Sequence, residues 1–369
     1  MKKAIVVGAG FAGCMYAMML RGKGWHVVVI ERAPIIGGGV RTFFHGGHPF
    51  TYGPRHFLSP YPEAYEFLNK HVPMRDLRKL NYAYVERDQQ FYSYPIHEDD
   101  IPRMPEAKQI QAELDALPEE TEANNFEEFW AGRIGGTLYE KFITHYNKKA
   151  WQLNDNIEMD FGFEATVKRR TIESGDRREM EGWYNCYPIA HDGYNAFFEM
   201  ALEGCEVRLE TEIEAFDVAA CSVRIKDTGD IIDGDMMIST TSPDALLDYQ
   251  FGELGYVGRE FQKLVLPIEH VFPEDVYFLY YPNPNEQHTR IVEYKKFTQH
   301  ESPQTLLVVE IPSMKNKLYP MLIKSHVERA QKYLDALPDN VHSVGRQGTY
   351  RYIDVDDIIM AGLEFQKQL

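Results

Sequence analysis

The sequence has few cysteines and lacks the long apolar run that a membrane span would need. No stretch of about eighteen consecutive apolar residues is present, so we expect no membrane insertion. No CxxC pair or Cys/His cluster has zinc-ligand spacing, so we expect no metal site. Reduced thiols and a cytoplasmic location are predicted from the wide spacing of the four cysteines, Cys14, Cys186, Cys205 and Cys221.

Positive charge is also scarce. The chain has 39 Lys and Arg residues against 56 Asp and Glu residues, which gives a net charge of −17. Such an acidic chain, without a long Lys/Arg block, argues against a nucleic-acid partner. Because the overall field repels anions, an anionic substrate has to be bound by arginines gathered at one place.

The start of the chain carries a well-defined pattern. Lys3–Val7 predicts a buried parallel strand, a helix should follow over about Phe11–Gly22, and His26–Ile30 predicts a second strand. The segment Gly8-Ala9-Gly10-Phe11-Ala12-Gly13 joins the first strand to the helix, and Glu31 follows the second strand. These residues form a βαβ unit with a glycine-rich turn.

This unit is typical of dinucleotide-binding proteins. Gly8 permits the tight turn, Gly10 lets the backbone approach a pyrophosphate, and Gly13 lets the helix pack closely on the strand. The helix N-terminus offers free N–H groups and a partial positive charge to the phosphates. Glu31 stands where an acidic residue accepts hydrogen bonds from ribose hydroxyls. We therefore predict that this unit binds an adenine dinucleotide.

A second glycine run, Ile36-Gly37-Gly38-Gly39, follows shortly after. Domains that bind only NAD do not need such a run, whereas flavoproteins of the glutathione-reductase and amine-oxidase type place backbone here against FAD. We therefore predict FAD as the cofactor. The residues expected to contact it in these two segments are Gly8, Gly10, Phe11, Gly13, Glu31, Gly38 and Gly39.

Helical and strand-like patterns alternate along the rest of the chain. The pattern is helical from about Asp99 to Lys149, where apolar residues recur at three and four spacing and Asn124 or Asn125 is a suitable N-cap. Residues 206–216 and 222–225 alternate like a small antiparallel ladder. We predict an α/β fold with a Rossmann-like FAD-binding domain, a helical insert and an antiparallel-sheet substrate domain. Their ranges are 1–80 with 190–245 and 335–369 for the FAD-binding domain, 97–185 for the insert with its mobile substrate loop, and 246–334 for the substrate domain.

Several segments rich in tyrosine and arginine follow one another along the chain. They are Tyr52-Gly53-Pro54-Arg55-His56-Phe57, Tyr146-Asn147-Lys148-Lys149-Ala150-Trp151, Asp248-Tyr249-Gln250-Phe251-Gly252-Glu253-Leu254, Thr289-Arg290-Ile291-Val292-Glu293-Tyr294-Lys295-Lys296-Phe297, Glu310-Ile311-Pro312, Leu318-Tyr319-Pro320 and the Gly345-Arg346, Tyr352 and Asp354 group. In this order they resemble the UDP-galactopyranose mutase family, and the resemblance runs from Ile5 to about Leu363.

The resemblance implies an isomerase that interconverts the pyranose and furanose forms of a nucleotide sugar. The first expectation is UDP-galactopyranose to UDP-galactofuranose, for cell-surface polysaccharide synthesis, with N5 of reduced FAD attacking the sugar. NAD(P)H or dithionite would act as the reductant. The resemblance places catalytic roles on Arg290, Arg346, Tyr319 and Tyr352, and it leads us to expect a homodimer.

Binding roles follow from the same resemblance. A substrate diphosphate suits arginines in any case, because guanidinium groups bind it bidentately. One of Lys168, Arg169 and Arg170 should be a mobile-loop arginine, and Asp354 should cap a final helix whose positive end faces the flavin. The predicted substrate-binding residues are Phe142, Tyr146, Trp151, Arg169, Arg170 and Glu310. The further cofactor-binding residues are Arg55, His56, Arg346, Tyr352, Asp354 and Val355.

The sequence leaves other functions open. It departs from the family pattern at Arg55, Ala150, Gln152 and residues 188–193, so UDP-N-acetylgalactosamine, UDP-arabinose or a dTDP-deoxysugar stay alternative substrates. A redox flavoenzyme of the amine-oxidase or desaturase type shares the glycine turn. A nucleotide-binding module without chemistry would bind the sugar nucleotide and leave its ring unchanged.

The first prediction concerns the cofactor. The purified protein should be yellow and should release FAD, not FMN, on denaturation. Glu31→Ala should weaken FAD retention, because the ribose hydroxyls lose their acceptor. Absorbance of the purified proteins and of the supernatant after heating measures both effects. A colourless protein that cannot be reconstituted with FAD would contradict the prediction.

Overall fold

The computed structural model describes residues 1–118, 122–163, 171–178, 182–273 and 275–369. The described strands are β1 (Lys3–Val7), β2 (His26–Ile30), β3 (Phe43–His45), β4 (His48–Phe50), β5 (Phe57–Ser59), β6 (Met74–Asp76), β7 (Leu80–Val85), β8 (Gln90–Ser93), β9 (Tyr184–Pro188), β10 (Glu206–Arg208), β11 (Ile213–Asp217), β12 (Ser222–Ile225), β13 (Ile231–Asp233), β14 (Met236–Ser239), β15 (Tyr256–Leu266), β16 (Val276–Tyr280), β17 (Arg290–Glu293), β18 (Thr305–Ser313), β19 (Tyr319–Pro320) and β20 (Val341–Ser343). The described α-helices are α1 (Phe11–Gly22), α2 (Pro62–His71), α3 (Ala107–Asp115), α4 (Phe126–Tyr139), α5 (His145–Trp151), α6 (Asn195–Leu202), α7 (Pro243–Leu246), α8 (Tyr294–Thr298), α9 (Lys324–Asp335), α10 (Gly345–Gly348) and α11 (Val355–Gln368).

A five-stranded sheet in the order β10-β2-β1-β14-β20 forms the nucleotide-binding half of the fold. All its strand pairs are parallel, and β1 and β2 are almost fully buried. Helix α1 packs against α6 and α11. The predicted βαβ unit is confirmed with the expected bounds, because continuous apolar strands and a glycine turn allow little else.

The opposite face of this sheet is covered by the antiparallel sheet β11-β12-β13. Ile5 and Val28 share a buried cluster with Val223 and Ile232 of that sheet. The prediction that residues 206–216 form one ladder with 222–225 is wrong for its first part. Val207 pairs with Val29 in the parallel sheet, and the antiparallel pairing begins only at Ile213. Alternation alone cannot distinguish an edge strand of one sheet from a strand of the other.

The second half of the fold is a seven-stranded sheet in the order β19-β15-β18-β17-β16-β7-β8. Its pairs are antiparallel except β16 with β7, which run parallel. Residues 80–93 supply β7 and β8, although they lie outside the range 246–334 proposed for this sheet. Helices α3, α4 and α5 follow the helical periodicity, and the Asn125 side chain caps α4 by accepting from the Glu128 N–H at 2.9 Å.

The three-stranded sheet β5-β9-β6 connects these parts of the chain. Strand β9 pairs with β5 and β6 and follows the helical region. Across the described residues, no helix combines the length and the apolar character that a membrane crossing needs.

The glycine turn after β1 explains why α1 lies so close to the sheet. A Cβ atom on Gly13 would stand 1.9 Å from the carbonyl oxygen of Gly8, a backbone atom that cannot move aside. A Cβ atom on Gly10 would meet nothing within 4 Å. Gly13 is therefore needed for packing, whereas the space at Gly10 is available to a ligand.

This difference gives a stability prediction. Gly13→Ala should lower the free energy of unfolding by roughly 1–3 kcal/mol, because the new methyl group overpacks the turn. Gly22→Ala is the matched control in the same helix: its Cβ meets nothing within 4 Å, and alanine favours the helix over glycine. Denaturant unfolding of both variants measures the difference. Equal stability of the two variants would contradict the packing argument.

Candidate active site

Two glycine segments lie side by side at the carboxyl end of β1. The Gly37 N–H donates to the Ala9 carbonyl at 2.7 Å, and Gly10 and Gly37 form an isolated parallel bridge. A Cβ atom on Gly38 would approach the Gly10 Cα to 3.1 Å. The second glycine run is therefore packed against the first, and both border the open space at Gly10.

Glu31 holds this turn in place. One carboxylate oxygen accepts from the Ala9 N–H at 2.8 Å, and the other accepts from the Ala33 N–H at 2.8 Å. Each oxygen keeps a second lone pair, which is available to a ribose hydroxyl. The Phe11 ring is only 3% exposed and stacks on Phe197, so only its backbone is left for a ligand. The turn, the open space and the carboxylate fit an adenine dinucleotide.

The N-terminus of α11 lies beside Arg346. The Arg346 Nε donates to the Ile353 carbonyl at 2.7 Å, and its Nη2 donates to the Asp354 carboxylate at 2.6 Å. Asp354 is the N-cap residue as predicted, and its N–H donates to the Asp357 carboxylate at 2.9 Å. Val355 begins the helix and packs at the border of the nucleotide-binding core.

Four arginines lie close enough to Tyr319 for their charges to act on it. We call this group the arginine cluster, and its members are Arg55, Arg259, Arg290 and Arg346. The guanidinium carbons of Arg346 and Arg259 lie 4.7 and 5.3 Å from the centre of the Tyr319 ring. All four arginines are only partly exposed, so their charges are concentrated in a region that water screens incompletely.

Hydrogen bonds hold two members of the cluster, Arg290 and Arg55, in place. Arg290 of β17 pairs with Glu310 of β18 across the sheet, and its Nε donates to the Glu310 carboxylate at 2.6 Å. The Arg55 Nε donates to the Gly39 carbonyl at 2.9 Å, which links the cluster to the second glycine run. The site therefore joins the two halves of the fold.

The pKa of Tyr319 reflects the positive charge of this region. Burial alone would raise the pKa of Tyr319, but the charges of Arg55, Arg346, Arg259 and Arg290 outweigh burial and lower it. The Tyr352 ring stacks on Tyr319 with centroids 5.6 Å apart, and Arg346 also lies over Tyr352 at 5.6 Å. The arrangement favours an anion and offers it both N–H and O–H donors.

Three tyrosines, Tyr94, Tyr146 and Tyr280, continue the site towards the helical region, and we call them the aromatic wall. Tyr146 lies 5.9 Å from Tyr280 and 6.2 Å from Tyr94, measured between ring centres. Burial raises the pKa of both Tyr94 and Tyr146, so these hydroxyls stay protonated. Helix α5, which carries Tyr146, is tied to the loop between β16 and β17 by Lys149, whose Nζ donates to three backbone carbonyls there at 2.8 to 3.0 Å.

Phe142 and Trp151, which were predicted to contact the substrate, are buried. Phe142 is 1% exposed and packs edge-on against Tyr92. Trp151 is 7% exposed and lies 6.2 Å from Tyr319 and 5.9 Å from Tyr352. Trp151 therefore supports the tyrosine pair from the core side, and direct substrate contact by either residue stays a prediction.

The remaining predicted residues fall in different places. His56 is packed against Phe278 and Phe297, and burial lowers its pKa well below the usual range, so the ring is neutral. Lys168, Arg169 and Arg170 lie outside the described residues. Arg259 was missed from the sequence. The sequence feature that could have identified it is an arginine within a strand of alternating apolar and polar residues. An arginine in such a strand is ordinarily solvated.

Comparison with known proteins identifies the family of this chain. The family model for UDP-galactopyranose mutase matches residues 141–352, and the model for an NAD(P)-binding Rossmann-like domain matches residues 6–71. A probable UDP-galactopyranose mutase of Klebsiella pneumoniae is 25% identical, over 98% of this chain and 93% of the relative. The dTDP-fucopyranose mutase of Escherichia coli is 24% identical, over 99% of this chain and 97% of the relative.

The fold has a counterpart among solved structures. A crystal structure of reduced UDP-galactopyranose mutase superposes with a TM-score of 0.82 at 19% identity, over 100% of this chain and 95% of the other. The fold and the glycine turns thus define a Rossmann-type protein of the flavoenzyme kind. More particularly, because the first family model covers more than half of the chain, the protein belongs to the UDP-galactopyranose mutase family. It is therefore an isomerase.

The arginine cluster gives a binding prediction. Inorganic pyrophosphate should stabilise the FAD-loaded protein, by about 2.7 kcal/mol at a hundredfold excess over Kd. Arg290→Gln should reduce this shift, because it removes one of the charges around Tyr319. Arg224→Gln, at an exposed position of β12, controls for the change in net charge. Thermal unfolding at constant ionic strength measures the shifts, and equal shifts in all three proteins would contradict the site.

Proposed function

We propose that this protein is a FAD-dependent mutase that interconverts the pyranose and furanose forms of a nucleotide sugar. The observation that carries the proposal is the arginine cluster around Tyr319, joined through Arg55 to the glycine run of a dinucleotide site. A nucleotide sugar combines a diphosphate with a sugar, and the cluster supplies the charge that the diphosphate needs. In this arrangement the sugar lies next to the bound flavin.

The charge of the site supports a diphosphate. The chain as a whole carries −17, so an anion is not attracted by the general field. Four guanidinium groups at one place reverse this locally. Arginine stays charged at any physiological pH and presents a rigid fork of donors, which suits phosphate oxygens better than lysine does. Tyr319 and Tyr352 add hydroxyl donors at the same position.

The cofactor supplies one part of the chemistry. Reduced FAD, when bound, provides a nucleophilic ring nitrogen. Gly8, Gly10 and Glu31 would hold the adenine and diphosphate end of FAD, and Arg55, a member of the cluster, bonds the second glycine run. Asp354 caps α11, whose positive end stabilises a nearby anion. The protein groups thus bind and orient the substrate, and the reaction needs no separate nucleophile–base pair from the chain.

The sugar and the nucleotide base of the proposed substrate follow the names of two relatives. The relative from Klebsiella pneumoniae is named for UDP-galactopyranose and the one from Escherichia coli for dTDP-fucopyranose, and their identities to this chain, 25% and 24%, do not separate them. We propose UDP-galactopyranose as the first substrate and a dTDP-deoxysugar as the second. We further propose NAD(P)H as the reductant, a homodimer as the assembly and the cytoplasm as the location.

A substrate panel tests this proposal. Protein reduced with dithionite should be incubated with UDP-galactopyranose, UDP-N-acetylgalactosamine, UDP-arabinopyranose and dTDP-fucopyranose, and products separated by chromatography. One of them should yield its furanose isomer with no net consumption of reductant, and the oxidised protein should be inactive. Stoichiometric oxidation of the product, or equal activity of the oxidised protein, would instead indicate a redox flavoenzyme.

Substitution of two cluster arginines gives a further prediction. Removing one partner of a desolvated charge pair costs roughly 2–5 kcal/mol. Arg290→Ala and Arg346→Ala should therefore lower kcat/KM on the order of 10²-fold or more, with FAD still bound. Arg224→Ala should react like the wild type. Steady-state rates and FAD content measure this, and near-wild-type rates in both cluster variants would make these arginines structural.

A further inference from the structure

The charges of the arginine cluster are only half compensated. Arg290 is paired with Glu310 at 2.6 Å, and Arg346 is paired with Asp354 at 2.6 Å. Within the described parts of the chain, no carboxylate lies within ion-pair distance of Arg55 or Arg259. Glu260, the neighbour of Arg259 in sequence, is paired with Lys315 at 2.6 Å. Two guanidinium charges are therefore left for a ligand.

Arg259 is held in position by its backbone. The Asn316 side chain accepts from the Arg259 N–H at 3.1 Å and donates to the Arg259 carbonyl at 2.9 Å. This contact requires Gly258, because a Cβ atom there would stand 1.8 Å from the Asn316 Oδ1. The Arg259 Nη1 donates to the Gly258 carbonyl at 2.7 Å. The arginine thus has a fixed backbone and a side chain turned back over its own strand.

The position of the guanidinium group is also informative. It lies over the Tyr319 ring at 5.3 Å, and Arg346 lies over the same ring at 4.7 Å. One hydrogen bond to a carbonyl leaves most of its five N–H groups available. A solvated surface arginine would be mostly exposed, whereas Arg259 is only partly exposed.

We propose that Arg259 binds the diphosphate of the nucleotide-sugar substrate and so sets the position of the sugar. The inference rests on the proposed function and adds a residue to it. Arg55 carries the second uncompensated charge, but its Nε is bonded to the glycine run, so it lies nearer to the cofactor. Arg259 lies on β15 of the seven-stranded sheet, and its hydrogen bonds are to Gly258 and Asn316 of the same half, so we assign it to the substrate.

The test compares ligands that differ in phosphate. FAD-loaded wild type, Arg259→Gln, Arg259→Lys and the control Arg224→Gln are titrated by calorimetry with UDP, dTDP, uridine and thymidine. Of UDP and dTDP, the one that binds the wild type more tightly is the reference ligand. Arg259→Gln should weaken binding of this ligand about tenfold or more, since charge-assisted hydrogen bonds are lost. Binding of the nucleoside should be unchanged. The diphosphate affinity of Arg259→Lys should lie between those of the wild type and Arg259→Gln, because lysine keeps the charge but lacks the planar, bidentate donor group of arginine.

Kinetics separate this role from a structural one. If Arg259 holds the diphosphate equally in substrate and transition state, KM rises while kcat changes little. FAD content and melting temperature should match the wild type. Diphosphate affinity within twofold of wild type in Arg259→Gln, or an equal loss for uridine and thymidine, would overturn the inference. A wild-type protein that binds neither UDP nor dTDP would refute the proposed function itself.

Discussion

The candidate site depends on the concentration of positive charge around Tyr319. Four guanidinium groups repel one another, and gathering them in a partly buried region of a chain with a net charge of −17 requires a rigid scaffold and partial neutralisation. Glu310 and Asp354 neutralise two of them. Arg55 and Arg259 have no such carboxylate partner among the described residues, and the diphosphate that we propose as ligand would supply the missing negative charge.

The scaffold explains why these arginines meet. Arg259 and Arg290 come from strands of the seven-stranded sheet, Arg346 from the segment that leads into α11, and Arg55 from the loop behind the second glycine run. Sheet pairing holds the backbone of Arg290, Asn316 holds that of Arg259, and hydrogen bonds to carbonyl oxygens hold the side chains of Arg346 and Arg55. Because the Arg55 Nε bonds the Gly39 carbonyl, the arginine cluster lies next to the second glycine run, and the proposed diphosphate site would therefore adjoin the proposed flavin site.

The first βαβ unit of the nucleotide-binding half was predictable from sequence to the residue. The bounds of β1, α1 and β2 are set by local rules, namely continuous apolar strands, a turn that only glycine allows, and a helix N-terminus. The cap of α11 at Asp354 is equally local. The assignment of Glu206–Arg208 failed, because two short alternating strands look alike and only tertiary packing decides which sheet each joins.

The site was predictable only in part. Arg290, Arg346, Tyr319 and Tyr352 were selected by resemblance, and the structure brings them together. Arg259 was not selected, since an isolated strand arginine is indistinguishable from a solvated one until its neighbours are known. Phe142 and Trp151 were assigned to the substrate by resemblance; both are buried in one apolar cluster, and their contact with the substrate stays a prediction.

A crystal structure of the FAD-loaded protein with UDP would test the central claim most directly. We predict that the diphosphate lies beside Tyr319, with phosphate oxygens within hydrogen-bonding distance of Arg290 and Arg259 and the terminal phosphate pointing towards the flavin. A UDP molecule bound away from Tyr319, with the arginine cluster contacting only solvent, would contradict the account.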